Sequence, residues 1–341
     1  MEVAVITGWT HKAFPMDDAS CVGEARRHAA NAAADMGWGE VDAGRLALVV
    51  TELGTNLQRH AKHGRLLIAV RAQACAVEVI SIDEGPGIPD IALALQDGHS
   101  SGSTPGTGLG AVRRLASEFD MHSAVPDGTV SVARVRPSAA GFAHGSAMAL
   151  QIGAICLPAP YETVCGDAWA VAIHGGQTSV LVADGLGHGP DAAKASQAAL
   201  GAFASAPEAD VCDTVQRVHR ELRTTRGAAV LALRVAMDNN TVTYSGAGNI
   251  AGRVLSGVFD KSLITQHGTA GVQIRKPQAT SLELPAHALV ILHSDGIATR
   301  WTVEHVRPLL QKDPTLLAAV LLRDHTRHRD DATVVVIRPR E

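Results

Sequence analysis

Aspartates stand at the ends of apolar runs throughout the second half of this chain, with glycines beside them. "VCGDAWAV", residues 164–171, sets Asp167 just before one such run, and "VLVADGLGHG" closes the next on Asp184 and Gly185. "VILHSDGI" ends a third run on Asp295, and "RHRDDATVVVI" opens the last with Asp330 and Asp331. Short apolar runs bounded by turn residues read as buried strands. Asp167 and Asp184 therefore bracket a hairpin, with two carboxylates at neighbouring strand ends. A single aspartate there is a strand-end cap or a turn former. Four acidic strand ends with glycines beside them fit a second role. Hard cations such as Mg²⁺ and Mn²⁺ take oxygen ligands and keep several waters, and glycines leave room for ions and phosphate.

The rest of the chain divides around "RPSAAGFAHGSA", residues 136–147, which is rich in small residues and carries no period. It reads as a linker, giving domains at 1–137 and 148–341 joined by 138–147. A length of 341 residues fits two domains. In the first half, helices are expected at 18–36 and 41–62, strands at "RLLIAVRA", "AVEVISIDE" and "GTVSVARVR", and a helix at "GAVRRLASEF". In the second half, β-rich segments are interrupted by helices at about 190–205, 210–224 and 314–325. Many strands with few, segregated helices give an α+β, layered fold class.

The first half carries three polar motifs in order. In "LALVVTELGTNLQRHA", Glu52, Asn56 and His60 are four residues apart and share one face of a helix. That stripe is either a solvated face or a binding surface. In "IDEGPGIPD", Asp83 ends a strand and is followed by Gly85 and Gly87. In "GSTPGTGLGAVRRL", Gly106, Gly108 and Gly110 lead into a helix, where free N–H groups and the helix dipole suit phosphate. No Gly-Lys-Ser/Thr follows, so this is not a P-loop, and the glycines do not follow the domain's first strand as a Rossmann turn requires.

The order of these motifs resembles the GHKL ATPase superfamily, and residues 15–136 are most similar to the anti-sigma-factor serine kinases of the stressosome switch-kinase type. The resemblance implies a GHKL (Bergerat) α/β sandwich that binds ATP with Mg²⁺. Asn56 would hold the Mg²⁺, Asp83 would accept from the adenine amino group, and Gly85 and Gly87 would let the backbone approach the base. Gly106, Gly108 and Gly110 would shape the phosphate lid, and Glu52 would be the general base. Residue 54 is Gly where a better helix former is expected, which allows close packing.

In the second half, "GDAW", "DGLGHG", "SGAGN", "SDG" and "RDDAT" occur in the order found in the PP2C-like (PPM) phosphatases. The short, sporulation stage II protein E type, including the stressosome feedback phosphatase, is the nearest pattern. This implies a layered αββα domain over about 148–339. Two Mn²⁺ or Mg²⁺ ions would be held by Asp167, Asp184, the Gly185 carbonyl, Asp295 and Asp330, with Asp331 behind them. A water between the ions would attack phosphorus in line. His188 is open between a structural role and phosphate contact or acid catalysis, Cys165 reads as a buried small residue, and "HTRHRDD" as a solvated helix end.

Both resemblances imply a bacterial partner-switching circuit. The partner would be a STAS-type anti-sigma antagonist, a stressosome scaffold containing such domains, or another sigma-factor regulator. The alternative is a phosphatase whose first domain only binds nucleotide or sequesters a partner. A net charge of −4 and 3% aromatics argue against a nucleic-acid binder. Five scattered cysteines without a C-x-x-C pair fit reduced thiols and a cytoplasmic protein, and no signal-peptide pattern or membrane-length apolar run is present, so no membrane partner is expected.

Overall fold

The computed structural model describes residues 3–96, 108–138, 150–174 and 176–340. The chain forms two compact units, one of residues 11–147 and the other of residues 1–10 together with 148–341. The first domain therefore begins at His11 rather than at residue 1. The reason is strand β1 (Ala4–Thr7), which pairs antiparallel with a strand of the C-terminal unit, Ala4 opposite Ile173 and Thr7 opposite Ala170. Gly8 continues this contact, donating its N–H to the carbonyl of Trp169 at 2.7 Å, and Trp9 meets the Trp169 ring edge-on at 4.7 Å between centroids. Four-residue "AVIT" carries too little pattern to assign a strand or its partner.

The unit of residues 11–147 holds β2 (Lys12–Pro15), α1 (Ala19–Asp35), α2 (Glu40–His60), β3 (Arg65–Arg71), β4 (Ala76–Ile82), α3 (Ile91–Ala94), α4 (Gly108–Leu115), β5 (Glu118–Ala124) and β6 (Gly128–Val135). The sheet order is β2-β3-β4-β6-β5, with every neighbouring pair antiparallel. Leu46, Val49, Val50, Leu53 and Leu57 form the buried stripe of α2, at the i, i+3, i+4, i+7 spacing of an amphipathic helix. They pack with Leu66, Ile68, Val77, Val79, Ala133 and Val135 of the sheet and with Ala25, Ala29 and Ala33 of α1. Gly54 sits where α1 crosses: a Cβ there would lie 3.2 Å from Val22 and 3.4 Å from Leu66, so the glycine does serve close packing. Helix α4 stops at Leu115, where Arg45 donates to its carbonyl from Nη2 at 2.7 Å, and "SEFDMHSA" then runs on as β5 rather than extending the helix. Behind the sheet, Glu78 is fully buried against Arg134 (2.6 Å) and Arg71 (3.2 Å). Burial alone would raise its pKa, but the two guanidiniums and His11 outweigh burial and hold it well below the ordinary carboxylate range.

The C-terminal unit adds β7 (Leu150–Leu157), β8 (Asp167–His174), β9 (Gln177–Gly185), α5 (Pro190–Ala204), α6 (Val211–Glu221), β10 (Ala228–Ala236), β11 (Thr241–Ala247), β12 (Ala251–Leu255), β13 (Asp260–Leu263), β14 (Gly268–Thr269), β15 (Gln273–Ile274), β16 (Thr280–Glu283), β17 (Leu289–His293), α7 (Val303–Val306), α8 (Pro314–His325) and β18 (Ala332–Pro339). One sheet runs β1-β8-β9-β10-β11-β16 and the other β13-β12-β17-β18-β7. Helices α5 and α6 cover the first sheet through Ala168, Ala170, Leu181, Ala183, Ala195, Phe203, Val215 and Leu231's neighbours Val230 and Ala232. Helix α8 lies on β7 and β18 of the second. At Gly153 of β7 a Cβ would fall 2.2 Å from the Thr315 nitrogen, so only glycine lets α8 seat so closely. This is the layered helix–sheet–sheet–helix arrangement expected from the motifs.

No helix among the described residues is long and apolar enough to cross a membrane. Gly106 and residues 139–147 of the expected linker lie outside the described residues.

Candidate functional site

Strand alternation places the acidic residues of the C-terminal unit. Ala168, Ala170 and Ala172 of β8 face the helices, so Asp167, Trp169 and Val171 face the other sheet. Asp184 is directly opposite Asp167 in the β8–β9 register. From the facing sheet, Ser294 follows β17 and donates its hydroxyl to Asp167 Oδ2 at 2.6 Å, and the Thr333 N–H of β18 donates to that hydroxyl at 3.0 Å. Asp295 is the next residue, and Asn249 Nδ2 donates to its Oδ2 at 2.6 Å. Asp331 is buried and accepts the Ala159 N–H at 2.8 Å. The pairing of β17 with β18 thus brings Asp295 beside Asp330 and Asp331, at the end where β8 and β9 present theirs.

Three glycines make this convergence possible. A Cβ on Gly185 would stand 2.1 Å from the Ala192 carbonyl oxygen, one on Gly166 would stand 2.5 Å from Asp331 Oδ2, and one on Gly296 would stand 2.0 Å from the Asp331 carbonyl oxygen. Gly296→Ala should therefore destabilise the fold by about 1–3 kcal/mol, the usual cost of overpacking. A chemical denaturation midpoint unchanged from the parent protein would contradict this.

The carboxylates strain against one another. Burial raises Asp184 to about 9, and Asp167, Asp295, Asp330 and Asp331 all add to the rise. Burial raises Asp167 to about 7, with Asp331 and Asp330 adding and the Ser294 hydrogen bond opposing. Asp295 and Asp331 are also raised, burial first in each case. Asp167 Oδ1 and Asp331 Oδ2 are buried with no hydrogen-bond partner. Orphaned carboxylate oxygens in a repelling cluster are what a divalent cation relieves. Among the described residues no three His, Cys, Asp or Glu side chains close on a single ion. The residues present fit such ions.

The raised values set a direction for stability. Between the unfolded carboxylate pKa near 4 and the raised folded values, the native state binds more protons than the unfolded state, so stability falls as pH rises. Glu78 is ionised in both states across this window and adds nothing to the slope. The metal-free protein should therefore lose thermal stability from pH 5.5 to pH 8.5, and the gain in melting temperature on adding Mn²⁺ should grow over the same range. A Mn²⁺-induced gain that shrinks with pH would contradict the cluster as the ion's site.

The loop after Asp184 is open. His188 is exposed, its Nδ1 lies 2.7 Å from Glu162 Oε1, and that contact raises its pKa. Cys165 and Cys156 are both buried with sulfurs 3.4 Å apart, and no disulfide joins any of the five cysteines. Ser294 and Asn249 were not singled out in the sequence, although they lie inside "HSDG" and "SGAGN". Glu162 lies in "PAPYETVCG", which carries no pattern that would mark it.

In the N-terminal unit, Glu52 and Asn56 are half-buried on one flank of α2, and His60 is exposed at its end. Asp83 follows β4, anchored by its N–H to the Thr129 carbonyl at 3.0 Å, and its Oδ1 accepts the Gly85 N–H at 2.7 Å. The turn lies against the end of α2: a Cβ on Gly85 would be 3.4 Å from the His60 carbonyl, and the Glu84 N–H donates to the Lys62 carbonyl at 3.0 Å. Gly87, at φ 74°, passes so near the Ala124 carbonyl that a Cβ would be 2.3 Å from it. Gly108 opens α4 with nothing within 4 Å of a Cβ, and Gly110 is buried. The fold thus brings the Asp83 turn to the end of the helix that carries Glu52 and Asn56.

Such a helix-and-turn site on an antiparallel sheet defines a GHKL-type ATPase domain, and an acidic cleft between two helix-covered sheets defines a PP2C-like phosphatase domain. Comparison with known proteins agrees. Residues 14–134 match the histidine kinase-like ATPase domain family, and residues 174–340 match the stage II sporulation protein E (SpoIIE) family. The serine/threonine-protein kinase RsbT of Bacillus subtilis (strain 168) is 35% identical over 125 residues, which is 33% of this chain and 93% of RsbT. A solved structure described as "The bacterial stressosome: a modular system that has been adapted to control secondary messenger signaling" is 28% identical, covering 55% of this chain and 99% of its own, with a TM-score of 0.52. RsbX in complex with magnesium is 21% identical, covers 56% of this chain and 96% of its own, and has a TM-score of 0.51, a likeness of fold. The chain belongs to the RsbT-type histidine kinase-like ATPase family through its N-terminal domain and carries a SpoIIE-type, PP2C-like domain at its C-terminal end.

Proposed function

We propose that this chain is a bifunctional regulator of a partner-switching pathway, with an ATP-dependent serine/threonine kinase and a metal-dependent serine/threonine phosphoprotein phosphatase on one polypeptide. The observation that carries the phosphatase reading is the register that sets Asp167 against Asp184 while Ser294 and Asp295 arrive from the facing sheet. Asp167, Asp184, Asp295 and Asp330, with the Gly185 carbonyl, would hold two Mn²⁺ or Mg²⁺ ions. When bound, these ions supply a water of lowered pKa and neutralise charge on the phosphoryl group. Ser294 fixes the Asp167 carboxylate through Oδ2 and leaves Oδ1 for the ion. Asn249 orients Asp295 in the same way. Such outer partners typically matter by about 10–100-fold in metal affinity or activity.

In the N-terminal domain Asp83 would recognise the adenine amino group, Gly85 and Gly87 would admit the base, and Asn56 would hold Mg²⁺ against the phosphates. Gly106, Gly108 and Gly110 would shape the phosphate lid. Glu52, one helical turn before Asn56, would take the proton from the attacking serine or threonine hydroxyl. The likeness to RsbT and to a stressosome structure supports a STAS-domain anti-sigma antagonist or stressosome scaffold as the protein substrate. The test is to recover the protein that co-purifies with the Asp184→Asn chain and map its phosphate. A STAS domain phosphorylated on serine or threonine is the expected result. Recovery of an unphosphorylated partner in the presence of ATP would leave the N-terminal domain as a binding module.

A further inference from the structure

The loops that hold the carboxylates also carry exposed apolar side chains. Among the described residues of the C-terminal unit, the large apolar side chains that stand exposed are Tyr161, Val164, Leu186, Val258, Ile264 and Val272. Four of these six are tied to the acidic site through short contacts. Tyr161 and Val164 ride on the loop between β7 and β8, which Asp331 pins at one end through the Ala159 N–H and at the other through its close approach to Gly166. Glu162, next to Tyr161, reaches across to His188 on the loop after Asp184. Leu186 follows Gly185 directly, and its N–H donates to the Gly227 carbonyl at 2.9 Å. Val272 sits against that same glycine, 3.2 Å from where its Cβ would be.

Tyr161 is the most telling of the four. Its ring is fully exposed and its φ is 70°, a left-handed conformation that costs a residue with a Cβ about 1 kcal/mol or more. Burial of the ring does not offset that cost. Exposed aromatic and aliphatic groups collected at one place mark a recognition surface, and tyrosine is over-represented where such surfaces bind. One exposed guanidinium stands at this edge: Arg226 lies beside Gly187 and pairs with Asp191.

We infer that Tyr161, Val164, Leu186 and Val272 form an apolar rim that receives the polypeptide segment of the phosphoprotein substrate, selecting a phosphoserine with apolar side chains on either side. The inference rests on the phosphatase reading. Val164 lies three residues before Asp167 and Leu186 two after Asp184, so a chain that presents a phosphoryl group to these carboxylates brings its flanking residues close to the rim. The rim supplies apolar contact area for the residues that flank the phosphate. Acidic or small flanks leave that area in water.

The experiment uses the full chain with Mn²⁺ and three probes: p-nitrophenyl phosphate, a phosphoserine peptide with leucine on both sides, and an equal-length peptide with serine on both sides. The leucine peptide should show kcat/KM higher by roughly tenfold, the discrimination that a few buried methylenes give. Tyr161→Asn, which keeps a residue tolerant of positive φ, and Val272→Ser should each remove most of that preference through KM. Both should leave p-nitrophenyl phosphate turnover within about twofold, since a small ester makes no use of the rim. Equal kcat/KM for the two peptides, with the small ester hydrolysed, overturns the rim alone, as does a preference that survives in the double variant. Failure to hydrolyse any of the three probes overturns the phosphatase reading and the rim with it.

Discussion

Asp184→Asn should remove metal-dependent phosphatase turnover and leave the protein folded. Asp184 contributes an oxygen and a negative charge at the point where four other carboxylates converge. Losing several kcal/mol of charge stabilisation in the transition state corresponds to roughly 10³-fold in rate. The same substitution should relieve the metal-free fold, because an amide needs neither to be ionised beside Asp167 nor to take up a proton on folding. The metal-free variant should therefore melt at or above the temperature of the parent, while its gain on adding Mn²⁺ disappears. Turnover and thermal shift separate a lost ligand from a damaged fold. Normal Mn²⁺-dependent hydrolysis by the purified variant would remove Asp184 from the site.

If Glu52 is the general base, Glu52→Ala should slow phosphoryl transfer to the protein partner by about 10²–10⁴-fold and retain ATP binding. Asn56→Ala should do the reverse, weakening Mg²⁺-ATP binding first. The two residues lie one turn apart on α2, on the flank of its buried stripe, so neither change opens a cavity in the core. Nucleotide titration and a transfer assay on both variants distinguish the roles. The opposite pattern would show that the base and the metal ligand are exchanged, and transfer at the parent rate by Glu52→Ala would make the domain a nucleotide-binding module.

Long periodic segments and strand-end aspartates were legible in the sequence because each leaves a local signal. Helix α8 lies where its pattern ends on Pro314 and His325, and the β8–β9 hairpin follows from two apolar runs separated by a short polar turn. Other parts of the fold carry no such signal. Strand β1 is four residues long and finds its partner more than 150 residues away in sequence, a choice made by the open edge of β8 and by Trp169 rather than by "AVIT" itself. Strand β5 was hidden behind a helix-like run, and its boundary is set by Arg45 reaching across to the Leu115 carbonyl. At the site, aspartates beside glycines could be read as ligand candidates, but Ser294, Asn249 and Glu162 could not. Serine, asparagine and glutamate are ordinary loop residues until the facing sheet puts them within hydrogen-bond distance of a carboxylate or histidine.

Kinase and phosphatase on one chain hold each other at high local concentration near any partner that either one binds. If both ran fully on one residue the chain would only consume ATP, so partner identity, nucleotide state or the divalent ion must bias one site. Mn²⁺ against Mg²⁺ is the lever the proposed sites offer, since the phosphatase cleft would take two ions on oxygen ligands and the ATP site one. The most direct measurement is the steady-state phosphorylation of the co-purifying partner, followed with ATP in parent and Asp184→Asn chains as the metal and the stress-complex scaffold are varied. Opposed activities on one circuit predict a low phosphate level with the parent in Mn²⁺ and a high one with Asp184→Asn. A phosphate level that is the same for both chains under every condition would show that the two domains serve separate substrates.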